Sequence, residues 1–153
     1  MFYALMVIAL LAADQISKLW AAQSLSAPID VIPGFLAFTY AENRGAAFGI
    51  MPDMQPVVII MSIVFAIIVS IYLTKRQQSL PVLAQLGGWL AVTGAIGNMI
   101  DRALRAYVIV FIYAYGINFP VFNLADVCLT LGAILVVIYL LFFSGRAHDG
   151  AEE

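Results

Sequence analysis

Asp14 and Lys18 stand four residues apart in one apolar run, Asn98 and Asp101 three apart in a second, and Asn123 and Asp126 three apart in a third. Such spacings put each pair on one helix face. Charged groups inside long apolar runs are costly and tend to serve function. Each has a plainer alternative. Asp14 with Lys18 can be an ion pair that lets a helix end in the membrane interface, with Lys18 reaching outward. Asp101 with the adjacent Arg102 can be an interfacial ion pair without chemistry. Asp126 is hardest to dismiss, because it falls about five residues, or about 7 Å of helical rise, inside its run. An ionised carboxyl there is costly to bury unless Lys18 or Arg102 satisfies it. Asn43-Arg44-Gly45-Ala46-Ala47-Phe48-Gly49 is a further polar, small-residue segment. Its glycines allow close backbone approach to a neighbour, or it is a tight turn with a Phe dipped into lipid.

The elements that must position these residues are membrane helices. Of the 153 residues 64% are hydrophobic and only 10% charged, with a mean hydropathy of +1.02, far more apolar than a soluble domain. The net charge is −2 and the seven Lys and Arg are scattered, so no basic stripe exists to neutralise phosphates and nucleic acid is not an expected partner. A crossing helix needs about 20 mostly apolar residues, and four segments qualify, at about 2–22, 56–74, 82–100 and 121–143. The first also resembles a signal peptide, but it lacks a basic n-region, and Asp14, Gln15 and Lys18 interrupt the cleavage region. It reads as a retained span. Asp30 to Tyr40, within the 23–55 connection, is rich in Val, Ile, Phe and Thr and favours short strands. The stretch from Arg102 to Pro120 reads as an apolar, aromatic connection, and 144–153 as a polar tail. The predicted fold is thus one all-α membrane domain of four transmembrane helices, with a small extended β segment between helices 1 and 2.

Four spans put both termini on one side, and the first span ends, the third ends and the fourth begins on the other. Asp14, Lys18, Asn43, Asn98, Asp101, Arg102, Asn123 and Asp126 can therefore converge. Gly94 and Gly97 give the third span a thin face for close packing. The single His148 belongs to the opposite side and Cys128 is the only cysteine, so no zinc ligand set or intrachain disulfide is possible and no metal or cofactor is expected. With no nearby His and no GxSxG elbow, a serine or cysteine nucleophile is disfavoured. What remains is carboxylate chemistry, two acids sharing a proton and activating a water. Orientation is weakly marked: Lys75, Arg76 and Arg146 on one side balance Arg44, Arg102 and Arg105 on the other. The doubly basic short loop favours cytoplasmic termini.

In order along the chain, Asp14-Gln15-Ile16-Ser17-Lys18, Asn43-Arg44-Gly45-Ala46-Ala47-Phe48, Gly97-Asn98-Met99-Ile100-Asp101-Arg102 and Phe119-Pro120-Val121-Phe122-Asn123-Leu124-Ala125-Asp126 are similar to the motifs of the bacterial lipoprotein signal peptidases, signal peptidase II. The resemblance implies a four-helix aspartic endopeptidase of the cytoplasmic (inner) membrane with a periplasmic extended platform. It implies that a diacylated prolipoprotein signal peptide and membrane lipid are the partners, cut just before the lipid-bearing Cys by a monomer whose cleft faces the periplasm. It makes Asp126 catalytic, has Asn43, Gly45, Asn98, Arg102 and Asn123 line or support the site, has Asp14 and Lys18 brace it, and gives Asp101 a structural role.

One position departs from the pattern. The family's other catalytic aspartate, nine residues beyond the Asp of the Gly-Asn-x-x-Asp-Arg block, aligns with Val110 in Val108-Ile109-Val110-Phe111. Valine neither carries a proton nor holds a water, so little or no peptidase activity is expected. The alternatives are a non-cleaving pseudoenzyme that binds lipoprotein signal peptides or lipid, and a small transporter or channel.

Overall fold

A computed structural model describes residues 1–45 and 54–143. Within them are α1 (Phe2–Ser24), β1 (Ile29–Ile32), β2 (Leu36–Asn43), α2 (Gln55–Lys75), α3 (Val82–Arg105), β3 (Val108–Tyr113), a 3₁₀ turn at Tyr115–Ile117, and α4 (Leu124–Phe142). All four α-helices are long and apolar enough to cross a membrane, as predicted. Residues Ala46 to Gly49, with Pro52 and Asp53, and the tail from Ser144 that includes Arg146 and His148, lie outside the described residues.

The helices turn apolar side chains outward because their solvent is lipid. Ile60, Met61, Ile67 and Ile68 of α2 and Leu140 to Phe142 of α4 are exposed. The least apolar helix, α3, is the most buried, and the other three pack around it. Small residues permit this. A Cβ on Gly87 would stand 2.9 Å from the Gly132 carbonyl oxygen, and one on Gly94 would collide with the Ala125 carbonyl. Helix packing in lipid depends on such close approach, since apolar contact alone gains little there.

The sheet is larger than predicted. Its order is β1-β2-β3, antiparallel throughout, and β3 comes from the stretch expected to be plain connection. Val108 to Phe111 are all buried, so the strand has no inside–outside alternation to betray it. Ile109 and Phe111 pack with Ala21 of α1 and with Leu25 just past its end. Ala106 takes a left-handed conformation (φ 62°) at the end of α3 and turns the chain into β3. The fourth helix starts at Leu124, not Val121, because Phe122 pairs with Ile112 beside the sheet.

Candidate active site

These elements bring the predicted polar residues together in two layers. In the inner layer Lys18, fully buried, lies 2.8 Å from Asp14 and 3.1 Å from Asp101, and its Nζ also donates to the Asn98 side-chain oxygen at 3.2 Å. Asp14 sits near the middle of α1, and Lys18 one turn further on, six residues before the helix ends at Ser24. Asp101 is saturated: it accepts from Arg105 at 2.8 Å and from the Ile109 backbone N–H at 3.1 Å. Its ion partners are thus Lys18 and Arg105, where the sequence suggested the adjacent Arg102. Asp14 accepts the Ala125 N–H of α4 at 2.9 Å, tying α1, α3 and α4 into one knot. Gln15 joins it by donating to the Gly97 carbonyl at 3.2 Å. Neither Gln15 nor Arg105 was singled out from sequence. The i,i+4 spacing of Asp101 and Arg105 was the available signal.

The outer layer is built on the start of α4. Asn123 caps that helix and accepts the Asp126 N–H at 2.8 Å, while Asp126 Oδ2 accepts the Asn123 N–H at 3.1 Å. This is a reciprocal cap, so Asp126 lies in the first turn, where free N–H groups and the helix dipole favour a carboxylate. The five-residue depth inferred from hydropathy is therefore corrected, and its satisfying partners are amides in place of Lys18 or Arg102. Asp126 Oδ1 accepts Asn98 Nδ2 at 2.7 Å. The Asn98 amide has one possible orientation, since its oxygen faces Lys18 Nζ and Asn123 Nδ2, both donors only.

Ile109 is held on both sides of its Cα. Its N–H goes to Asp101, and its carbonyl accepts Asn123 Nδ2 at 2.9 Å. Strand alternation then sends Ile109 toward α1 and Val110 to the opposite face, where Val110 lines a cleft shared with Asp126. The cleft holds about 1330 Å³. Val57, Met61 and Phe65 of α2 form one wall, Val127, Thr130 and Leu131 of α4 the other, and Ala95, Asn98 and Arg102 of α3 the floor. Asp14, Lys18 and Asp101 are not among its lining residues.

On that floor Arg102 donates to the Gly45 carbonyl at 3.0 Å, while its buried Nε has no hydrogen-bond partner among the described residues. Asn43 accepts the Gly45 N–H at 3.0 Å. Both residues line the cleft. Arg44 pairs with Glu42 at 2.7 Å and stands 5.2 Å over the Tyr107 ring. The Arg44 hydrogen bond holds the Glu42 carboxyl below the usual carboxylate range. Burial, aided by hydrogen bonds with Tyr107 and Glu42, pushes the Tyr40 hydroxyl well above its ordinary value. No group of metal-binding side chains occurs among the described residues.

Residues 6–142 match the family profile described as signal peptidase (SPase) II. A lipoprotein signal peptidase of Clostridium tetani is 39% identical over 145 residues, covering 92% of this chain and 89% of that one. One of Clostridioides difficile is 36% identical over 150 residues, covering 97% and 100%. A solved bacterial membrane enzyme superposes with a TM-score of 0.85 at 35% identity, over 92% of this chain and 87% of that one, and a second with 0.83 at 34%, over 94% of each.

Proposed function

The chain belongs to the signal peptidase II family of membrane aspartic endopeptidases, and from that premise we propose a member that binds diacylated prolipoprotein signal peptides yet cleaves them poorly, because Val110 occupies the place of one acid. The observation that carries this reading is the shared cleft. Asp126 and Val110 line it together, while Asp101, the nearest other carboxyl in sequence, is spent on Lys18, Arg105 and the Ile109 N–H.

In this reading Asp126 orients a water toward the scissile carbonyl, with Asn98 and Asn123 holding both its oxygens as acceptors. The proton that a second acid would give the carbonyl oxygen has no donor at Val110, and such acid–base partners contribute about 10²–10⁴-fold. Binding is supported by parts that need no second acid: the apolar walls and the Nε of Arg102, which has no partner among the described residues and can donate to a substrate carbonyl. The protein acts as a monomer and one domain of the bacterial inner membrane. Its cleft opens to the periplasm, with the termini and the Lys75-Arg76 loop cytoplasmic.

The test is cleavage of a diacylated prolipoprotein by purified protein in lipid. The unsubstituted chain should bind substrate but turn it over slowly, and Val110→Asp should raise turnover by about 10²–10⁴-fold. A normal rate without the substitution would overturn the reading.

A further inference from the structure

The described residues include two buried cations, and they are served differently. Lys18 has the carboxylates of Asp14 and Asp101. Arg102, 9% exposed, forms no ion pair with any described residue. Its acceptors are two neutral backbone carbonyls, of Asn98 at 3.4 Å and of Gly45 at 3.0 Å, and its Nε has none among the described residues. The last turn of α3, in which Arg102 stands, offsets part of the charge. A buried guanidinium without a carboxylate is still costly, and the site favours an anionic ligand. The other charged groups of the cleft lining are Glu42 and Arg44, which pair with each other, and Asp126, which is held by N–H groups of Asn98 and Asn123. Where the family pattern has a second acid, Val110 adds no charge.

The shape of the cleft limits what can carry that anion. Helices α2 and α4 both pack on α3, and the space between them holds about 1330 Å³. Its floor runs from Arg102, at the sheet end, to Ala95, about 10 Å of helical rise. A helical segment of that length, about 10–12 Å across, fills roughly 800–1200 Å³, whereas a single acyl chain is far thinner. Deeper in the bundle the gap closes, where Leu73 of α2 packs on Gly88 of α3. The space therefore suits the end of an apolar helix that lies in the bilayer, with its terminus at Arg102.

We propose that the cleft retains the cleaved signal peptide, its new terminal carboxylate on Arg102 and its apolar segment between α2 and α4. The inference rests on the function proposed above and concerns the product of that reaction. Hydrolysis before the lipid-bearing Cys breaks the C–N bond, with water giving its OH to the new carboxyl and its proton to the new Cys amine. An uncut chain offers Arg102 only a neutral carbonyl, whereas the product offers a charge-assisted hydrogen bond. Val110 bears on this balance as well as on cleavage. With aspartate there, the product carboxylate would face two acids; with valine it faces Asp126 alone. The substitution that slows turnover thus also favours retention of what the slow turnover makes.

The experiment measures binding, to the protein in nanodiscs, of a synthetic lipoprotein signal peptide that stops at the residue before the Cys, made with a C-terminal carboxylate or a C-terminal amide. The carboxylate form should bind about 10–100-fold tighter, the range of a hydrogen bond to a charged group. The preference should vanish in Arg102→Gln, survive in Arg102→Lys and shrink in Val110→Asp. Undiminished binding of the amide form shows that Arg102→Gln is folded. Equal affinities for the unsubstituted chain, or a preference that persists in Arg102→Gln, would overturn the inference. Arg102-dependent binding of palmitate over hexadecanol, with no such preference between the peptides, would make the occupant a free fatty acid and overturn it too. If Val110→Asp cleaves well while the terminal charge is ignored, the product assignment falls and the proposed function stands. If binding tracks the terminal charge while Val110→Asp fails to cleave, the product assignment stands and the catalytic reading falls. No binding of either peptide overturns the inference, and no binding of a diacylated prolipoprotein overturns the proposed function with it.

Discussion

Two sets of charged and amide groups occupy the same end of the bundle and answer to different demands. The knot of Asp14, Lys18, Asp101 and Arg105 is closed: its carboxylates are met by cations or backbone N–H groups, and three of its members are at most 2% exposed. The face of Asp126, Asn98 and Arg102 is open. Its groups line a cleft, and one donor lacks a partner among the described residues. Burial and charge are greatest in the knot, yet the proposed chemistry belongs to the open face, because the carboxylates of the knot are already taken up by protein donors. The knot instead holds Ile109 and Asn98, and through them sets where Val110 and Asp126 stand.

Exchanging roles across that divide gives the sharpest tests. In the Val110→Asp protein, Asp126→Asn should return cleavage to the low level of the unsubstituted chain, a loss of about 10²–10⁴-fold in kcat. Thermal unfolding in detergent should shift only slightly, since the Asn98 and Asn123 contacts survive in part. Lys18→Met should do the opposite. Removing the cation leaves Asp14 and Asp101 buried without it and should cost about 3–5 kcal/mol of stability, seen as a large fall in Tm. If Lys18→Met left Tm unchanged, the knot would not be the structural half. At the rim the effects are smallest. Arg44→Gln should raise the pH at which Glu42 titrates, toward the ordinary carboxylate range, read from its side-chain NMR shift. The sign follows from the depressed folded value: the Glu42–Arg44 contact is present above the ordinary carboxylate range and is lost as pH falls through that depressed value. Such an exposed pair should leave Tm essentially unchanged.

The spans were legible because lipid imposes length and hydropathy directly on sequence, and the helix bounds lie within three residues of those predicted except at the end of α3, which runs five residues further, to Arg105. The pairs Asp14–Lys18 and Asn98–Asp101 were legible as faces through helical periodicity. What each face meets was not, because the partners are distant in the chain: Asp101 meets the N–H of Ile109, and Asn98 meets Asp126. The strand Val108–Tyr113 hid for a physical reason, since a strand packed on both sides reads as an unbroken apolar run. The same run blurred the start of α4, where Val121 and Phe122 add hydropathy but belong beside the sheet. The aligned vacancy at Val110 was visible from family resemblance, while the turning away of Asp101 needed coordinates.

The cleft walls, α2 and α4, are membrane helices whose outer faces meet lipid, and the groove between them includes Met61, Phe65 and Leu131. A ligand anchored in the same bilayer reaches such a groove by sliding in two dimensions. Its effective concentration is therefore counted per lipid, not per litre. Adding empty bilayer or detergent at fixed bulk amounts of protein and ligand should slow their encounter by surface dilution alone, with every side chain unchanged.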